Sequence, residues 1–239
     1  YVGFSPHDEQ VPGAIQELFL HWAKTNALKP PPDRGTRNFS SFSYDTNTFL
    51  GSYAAYYGVF HKHFGYSDFE RELVERMFVQ NLLSVEPKDL LPIGEDMCNP
   101  YSLTATAQGL NRGRMNSNTC GSILWSQMQG QLVLGLRLGN TELFNKGIET
   151  VKWNLRFIDK DGIFIPYAAA KGGHAIDYMD TVPQYLGVLT EIFATVNYDF
   201  LSHKIPSGIT IKEVLDGLAD VYGNHKILLK YNRTNSGKY

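Results

Sequence analysis

Apolar residues recur every three or four positions along most of this 239-residue chain, the spacing that places side chains on one face of an α-helix. Strand-like signals are rare, since 162–165 is the only short β-like run with turn signals around it. The sequence therefore predicts an all-α protein. The helices that we expect from the spacing cover residues 11–28, 46–64, 67–82, 121–138, 141–158, 175–196 and 211–222. Ser67 is the expected N-cap of the third helix, with Glu70 as its capping-box partner.

Short turns between consecutive helices favour antiparallel helical hairpins. Gly139 and Asn140 separate two helical segments, and a glycine just after the last helical residue is a common helix stop. Such hairpins build either a globular bundle or a toroid. Phe, Tyr and Trp make up 13% of the chain and occupy more than one helix face, which suits the inner and outer rings of a toroid. We therefore expect one domain, 1–239, that forms an incomplete α/α toroid.

Charge, hydropathy and missing motifs exclude several function classes. Lys and Arg number 22 against 24 Asp and Glu, a net charge of −2, so the basic excess of a nucleic-acid-binding protein is absent. No apolar run reaches the ~20 residues that a membrane-spanning helix needs. The sequence also lacks the glycine-rich, HExxH and GxSxG motifs of nucleotide, zinc and serine-hydrolase sites. We expect no nucleic-acid or membrane partner, no metal and no cofactor.

Cysteines, sequons and the first residue bear on where the protein acts. Cys98 and Cys120 match no metal-binding spacing, and they either form a disulfide in an oxidising compartment or remain two thiols. Asn38 and Asn232 each begin a glycosylation sequon. The chain starts at Tyr1 without Met, as expected if a leader was removed or the chain was trimmed. These features favour a secreted or periplasmic protein.

Two segments have no sustained helical spacing. The first, 33–45, is long enough to form a functional cover, and the second, 84–119, is interrupted by proline and glycine. Within the second segment only 101–110 has the spacing of a helix. Long irregular segments in compact domains are usually functional.

The segment 159–178 combines a turn, a short extended piece and a Gly-Gly pair with three polar side chains. Lys171, His174 and Tyr178 follow one another at spacings of three and four. If a helix begins near His174, the imidazole and the phenol share one helix face. A cation, an imidazole and a phenol then converge. The alternative is that Tyr178 belongs to the core and that Lys171 is a solvated loop residue.

This combination suits β-elimination on a uronic-acid polymer. The proton on C5 of a uronate is weakly acidic, so its abstraction requires that the charge of the neighbouring carboxylate be neutralised. A tyrosine near the scissile bond then acts as the base, the acid or both. Its pKa, ordinarily ~10, must be lowered by nearby cations for it to act as a base near neutral pH.

Paired carboxylates raise a second interpretation, a glycoside hydrolase. Hydrolysis needs two carboxyl groups about 5–10 Å apart on opposite sides of the bond. Aspartates also occur in turns for ordinary backbone reasons. The candidate pairs are Glu95 with Asp96, Asp159 with Asp161, and Asp177 with Asp180.

Part of the sequence resembles the alginate lyase family of helical-toroid polysaccharide lyases. That family carries an Asp-Gly-Phe-Leu-Pro segment before an Arg-rich stretch and an Ala-Leu-x-Tyr element. The hairpin from Trp125 to Trp153 falls at the family's spacing, and 21–28 is similar to its Trp-Ala-x-x-x-Ala-Leu helix. The matching residues of the first motif are Asp161-Gly162-Ile163-Phe164-Ile165-Pro166, followed by Lys171, His174-Ala175-Ile176 and Tyr178.

The resemblance implies roles for individual residues. Tyr178 corresponds to the catalytic acid/base, and Lys171 takes the place of an arginine that binds the uronate, which keeps the charge but loses the bidentate fork. The family's Asn-Asn-His ahead of its Tyr-Trp helix start has no histidine here. Asn118 is the best counterpart for the neutralising amide, with Asn116 second, while His174 supplies an imidazole from another direction.

Together these patterns predict a metal-independent polysaccharide lyase that cleaves a uronate polymer, alginate and in particular polymannuronate, by β-elimination. The alternatives are a glycoside hydrolase on the same scaffold and a non-catalytic protein that binds acidic glycans. The arginines beside the asparagine cluster suit the binding of an anionic sugar chain, although arginines are equally expected in a solvated loop. Aromatic residues can stack on sugar rings, although most of them are expected in the core. The predicted substrate-binding residues are Arg112, Arg114, Asn116, Trp125 and Tyr167.

Overall fold

A computed structural model describes residues 10–28, 37–84, 122–170 and 175–231 of the chain. Short 3-10 helices, His61–His63 and His225–Lys230, follow the second and the last α-helix. Within the described residues, extended pairing is limited to two isolated bridges. The α-helices are α1 Gln10–Thr25, α2 Arg37–Phe60, α3 Asp68–Ser84, α4 Ser122–Leu138, α5 Thr141–Leu155, α6 Ile165–Ala170, α7 Ala175–Met179, α8 Thr181–Ala194 and α9 Ile211–Gly223.

The all-α prediction is confirmed, and most helices lie where the spacing places them. The predicted start of the third helix is confirmed in detail, since the Glu70 N–H donates to Ser67 Oγ and the Ser67 N–H donates to the Glu70 carboxylate. This reciprocal pair is a capping box, which satisfies two backbone donors at the helix start. In the described ranges, no helix combines the length and hydropathy of a membrane span.

The predicted cover loop 33–45 is wrong over most of its length, because α2 already begins at Arg37. The stretch 37–50 contains neither proline nor glycine, and serine disfavours a helix only mildly. Its serines therefore do not interrupt the helix. The other predicted irregular segment, with its helical candidate 101–110, lies outside the described residues except at Ser84, which ends α3.

The long helix predicted for 175–196 is two helices, with a break at Asp180. Pro183 explains the break. A proline inside a continuous helix has no N–H for the carbonyl of Met179 and clashes with it, whereas proline is tolerated in the first turn of a new helix. Pro183 occupies that first turn in α8. The break leaves Tyr178 on the last turn of the short helix α7.

The fourth helix is buried on all sides over 124–128, where no residue is exposed, which is typical of a helix in the centre of a core. Its last turn reaches the surface at Leu136 and Arg137. A Cβ atom on Gly51 of α2 would lie 2.2 Å from the Ser126 carbonyl oxygen, so the two backbones touch there. A Cβ atom on Gly58, seven residues further along α2, would lie 3.4 Å from the Leu134 Cα atom. The helices α2 and α4 therefore run parallel.

The helices α4 and α5 form the predicted antiparallel hairpin. Gly139 adopts φ +63°, a left-handed conformation that ends α4, and the Asn140 side chain accepts a 2.9 Å hydrogen bond from the Leu143 N–H. A Cβ on Gly135 would lie 2.6 Å from the Phe144 nitrogen. This close contact fixes the hairpin.

Two clusters of buried apolar side chains stabilise the described structure. The first joins the inner faces of α4 and α5 to α6–α9 and includes Trp125, Phe164 and Tyr167. The second lies between α1, α2 and α3, and Phe19 and Phe78 meet there at 5.2 Å. Because α4 and α5 contribute to both clusters, they connect them.

Candidate active site

Tyr178, the predicted acid/base, is half-buried on α7 at the edge of the first core cluster. Its ring lies 5.5 Å from the ring of Tyr167, with the two planes tilted by 54°. The Thr181 hydroxyl donates a 2.7 Å hydrogen bond to the Tyr178 carbonyl, across the break between α7 and α8. Ring and backbone are thus both held, while part of the side chain remains accessible.

A continuous series of aromatic rings supports Tyr178 from below. Tyr167 contacts Phe164 at 4.8 Å, and Phe164 contacts Trp125 at 5.7 Å. Trp125 in turn stacks on Tyr185 of α8, at 5.4 Å and an angle of 7°. Aromatic pairs at such distances add to the stability of a core beyond the area that they bury. The series connects α7 to α6, α4 and α8, which fixes the surface on which Tyr178 lies.

Trp125 and Tyr167 belong to this support and have no exposed surface. The substrate-binding role predicted for them is corrected on that ground, because a side chain with no exposed surface does not contact a sugar. The reason is their position. Trp125 lies on the part of α4 that is buried all round, and Tyr167 lies on α6 and packs against the ring of Tyr178.

The other residues predicted to act in the lyase, and several further candidates, lie outside the described residues. Lys171 and His174 fall in 171–174, which connects α6 to α7 along the chain. The remaining ones fall in 85–121, between α3 and α4. They are Asn116, Asn118, Arg112 and Arg114, together with Glu95, Asp96, Cys98 and Cys120.

Asp159 and Asp161 form a structural cluster with the C-terminal 3-10 helix. The Tyr231 hydroxyl lies 2.6 Å from Asp159 Oδ2 and 3.1 Å from Asp161 Oδ2, and the Lys230 ammonium lies 2.5 Å from Asp161 Oδ2. The hydrogen bond from Lys230 lowers the pKa of Asp161, and burial, together with the hydrogen bond to Asp159, raises the pKa of Tyr231. Both carboxylates lie within hydrogen-bond distance of one phenol, and Asp161 also pairs with Lys230, so both side chains make contacts within the fold.

This cluster was missed by sequence reasoning, for a simple reason. Asp159 and Tyr231 are 72 positions apart, and no local spacing connects them. The turn itself was predicted. Asp159 Oδ1 accepts from the backbone N–H of Asp161 and of Ile163, and Gly162 adopts φ +78°.

The two carboxylates of the remaining described pair, Asp177 and Asp180, differ in exposure. Asp177 is exposed, whereas Asp180 lies half-buried at the break between α7 and α8. Burial, and after it the nearby Asp180 carboxylate, raises the pKa of Tyr222. Among the described side chains, no group of three or more His, Cys, Asp or Glu residues is placed to hold a metal ion.

The chain has the fold of alginate lyase A1-III. It superposes on the crystal structure of that enzyme from Sphingomonas species A1 with a TM-score of 0.63 and 15% identity, covering 91% of this chain and 53% of the other. A variant of the enzyme in complex with tetrasaccharide gives a TM-score of 0.66 at 15% identity, with coverage of 91% and 53%. A second tetrasaccharide complex gives 0.63 at 14% identity, covering 93% and 56%. No protein-family model and no curated protein matches the sequence.

Alginate lyase A1-III is an α/α toroid, so the predicted fold class is confirmed. The chain spans about half the length of these structures. At this level of identity the likeness concerns the fold, and site residues are not transferred by it.

Proposed function

We propose that this chain is a polysaccharide lyase that cleaves a uronate polymer by β-elimination, with alginate, and within it polymannuronate, as the substrate. One observation carries the proposal. Tyr178, which the resemblance identifies as the acid/base, is half-buried at the edge of the core. The chain has the fold of alginate lyase A1-III, and the solved structures of that enzyme include complexes with tetrasaccharide. A tyrosine sealed inside the core would have excluded the proposal.

The proposed reaction begins with neutralisation of the uronate carboxylate. Asn118 and Lys171, assisted by Arg114, donate to the carboxylate, which lowers the free energy of the enolate-like species that forms when C5 loses its proton. The Tyr178 phenolate accepts that proton. The C4–O bond then breaks as the C4=C5 double bond forms, and the leaving oxygen takes a proton from the Tyr178 hydroxyl, with His174 assisting the transfer.

The described contacts of Tyr178 hold its ring and its backbone in place, which favours a role as the acid/base. The contact with Tyr167 restricts the ring, and the hydrogen bond from Thr181 restricts the backbone at the same residue. A base that is held in position avoids the entropy cost of being ordered during the reaction. The phenolate form requires cations close by. Lys171, the cation that we propose for this role, precedes Tyr178 by seven residues in the sequence.

The glycoside hydrolase alternative loses support at the described carboxylates. Asp159 and Asp161 share the Tyr231 hydroxyl, and Asp161 also pairs with Lys230. These contacts connect the turn to the C-terminal 3-10 helix, which is a structural role. A secreted or periplasmic location, which we also propose, suits a polymeric substrate.

The test is a panel of polymannuronate, polyguluronate and polyglucuronate, incubated with the protein and with its Tyr178→Phe variant. The expected result is a rise in ultraviolet absorbance from the C4=C5 double bond, largest on polymannuronate and lost in the variant. New reducing ends without that absorbance would indicate the hydrolase. Binding of the polymers without either product would indicate a glycan-binding protein.

A further inference from the structure

A second concave site lies between α5 and the C-terminal end of α8. Its floor is formed by Val151, Leu155, Phe193 and Phe200, and its volume is about 360 Å³. This volume is within the range of ~300–1,000 Å³ that is typical of pockets for small molecules. We refer to it as the α5–α8 pocket.

The α5–α8 pocket is distant from Tyr178. Tyr178 lies just before the first residue of α8, whereas Phe193 lies near the last. The twelve residue-to-residue steps from Thr181 to Phe193 correspond to about 18 Å along a helix, at 1.5 Å per step. None of the residues that line this pocket belongs to the proposed active site. A ligand of this pocket would therefore be separate from the polymer at the proposed active site.

The aromatic floor of the pocket is preformed. The rings of Phe193 and Phe200 stack at 4.9 Å with an angle of 26°, and His203 continues the stack at 6.1 Å and 11° from Phe200. Phe193 and Phe200 are only 7% and 2% exposed, so they belong to the core and offer no free face of their own. The accessible rings are those of Tyr198, which is 45% exposed, and of His203, which is partly exposed and stacked on Phe200. A flat ligand that enters meets these two rings already in place, and little ordering is needed.

The polar groups of the pocket are few, and they favour an anion. The Tyr198 hydroxyl and His203 Nδ1 form a 2.7 Å hydrogen bond at the rim, and Lys152 contributes its ammonium group. Of the ten lining residues, seven are Phe, Leu, Ile or Val, and none carries a carboxylate. An uncompensated cation beside an apolar floor attracts a ligand that combines an apolar body with one negative charge.

From this composition we infer that the α5–α8 pocket binds a small, flat aromatic carboxylate. The ring system packs on the accessible rings of Tyr198 and His203, and the carboxylate pairs with Lys152 at the rim. A sugar fits less well, because its many hydroxyl groups would face apolar side chains without hydrogen-bond partners. The inference is independent of the proposed lyase activity.

The test uses 2-naphthoate as the probe and 2-naphthalenemethanol as its neutral counterpart, with binding to the full chain measured by isothermal titration calorimetry. We expect one molecule of 2-naphthoate to bind per chain, about two- to fivefold more tightly than the alcohol, since a partly exposed ion pair contributes up to ~1 kcal/mol. The Lys152→Gln variant should bind both compounds equally.

Two matched variants locate the site. Val196 lies at the pocket, two residues after the end of α8, and is 42% exposed, while Val188, on α8, lies outside the pocket and is 39% exposed. Because both positions are exposed, an aspartate is tolerated in the fold at either. Val196→Asp should weaken 2-naphthoate binding by about tenfold, through repulsion and lost apolar contact, and Val188→Asp should leave it unchanged.

Three results would overturn the inference. The first is no saturable binding of 2-naphthoate, and the second is an equal loss of affinity in the two valine variants. The third concerns a different occupant. If the protein self-associates in sedimentation experiments, and Val196→Asp abolishes this while 2-naphthoate does not compete with it, the pocket is a contact between two copies of the chain.

Discussion

The half-buried ring of Tyr178 lies 5.5 Å from the fully buried ring of Tyr167, and the two planes are tilted by 54°. Because Tyr167 belongs to the core, it fixes one side of the Tyr178 ring without enclosing it. The ring of the proposed acid/base is therefore held by an aromatic contact that a phenylalanine would keep. A substitution that removes only the hydroxyl group should affect activity more than stability.

The first prediction concerns the Tyr178 hydroxyl. Tyr178→Phe should lower the rate of unsaturated-product formation by about 10²–10⁴-fold, the range typical of a lost general acid/base. The aromatic ring is retained, so the contact with Tyr167 persists and the free energy of unfolding should change little. The measurement combines ultraviolet absorbance on polymannuronate with urea unfolding.

Tyr53→Phe is the matched control for this variant. Tyr53 is also half-buried on a helix and lies among aromatic rings, with Trp22 at 5.2 Å. Its substitution should leave the rate unchanged. Equal losses of activity in the two variants would contradict the role of Tyr178.

The second prediction separates support from substrate binding at Trp125. This ring has no exposed surface and stacks on Tyr185. Trp125→Phe should lower the free energy of unfolding by about 1–3 kcal/mol, because it leaves a cavity in the core. The KM for polymannuronate should remain the same. A several-fold rise in KM without loss of stability would show instead that the ring contacts the substrate.

Local features of the sequence predicted the helices well. Helical spacing fixed most helix positions, and the Ser67–Glu70 capping box was predicted from residues three positions apart. The Gly139–Asn140 turn was predicted in the same way. Each of these features depends on neighbours within one helical turn, and such neighbours are visible in a sequence.

Features that depend on distant residues were not predictable. The cluster of Asp159 and Tyr231 joins residues 72 positions apart. The burial of Trp125 depends on which helices surround α4, and its helical spacing alone is compatible with a groove. Pro183 is a different case, because its effect on a helix was visible in the sequence and was overlooked. The residues predicted to neutralise the carboxylate, Asn118 and Lys171, fall outside the described residues and stay predictions.

The third prediction concerns the close contact of α2 and α4. A Cβ on Gly130 would lie 2.6 Å from the Gly51 carbonyl oxygen and 2.9 Å from its Cα atom. Since both atoms belong to the backbone, the helices must move apart. Gly130→Ala should therefore lower the free energy of unfolding by about 1–3 kcal/mol, measured by urea unfolding.

Gly187→Ala is the control for the third prediction. Gly187 also lies inside a helix, but a Cβ atom there meets no other atom within 4 Å. Alanine favours a helix over glycine, so this variant should gain about 0.5–1 kcal/mol. Opposite signs for the two glycines are the expected outcome, and a stabilised Gly130→Ala variant would contradict the close approach of α2 and α4.

The fourth prediction concerns the pH dependence of the contact between Asp161 and Lys230. The hydrogen bond from Lys230 holds the pKa of Asp161 below 3.8, its ordinary value. A lowered pKa in the folded state means that the ionised carboxylate stabilises the fold above about pH 4, and that this stability is lost as the pH falls through the folded-state pKa. Asp161→Asn should remove this contribution, which for such an exposed pair is at most ~1 kcal/mol.

The difference in unfolding free energy between the wild type and Asp161→Asn should therefore be largest near neutral pH and should shrink between about pH 5 and pH 2. Urea unfolding across this range measures it. In a Lys230→Gln background the same comparison should depend less on pH, because the main cause of the lowered pKa is gone. A difference that stays constant with pH, or grows as the pH falls, would show that Asp161 contributes to the turn through its shape rather than its charge.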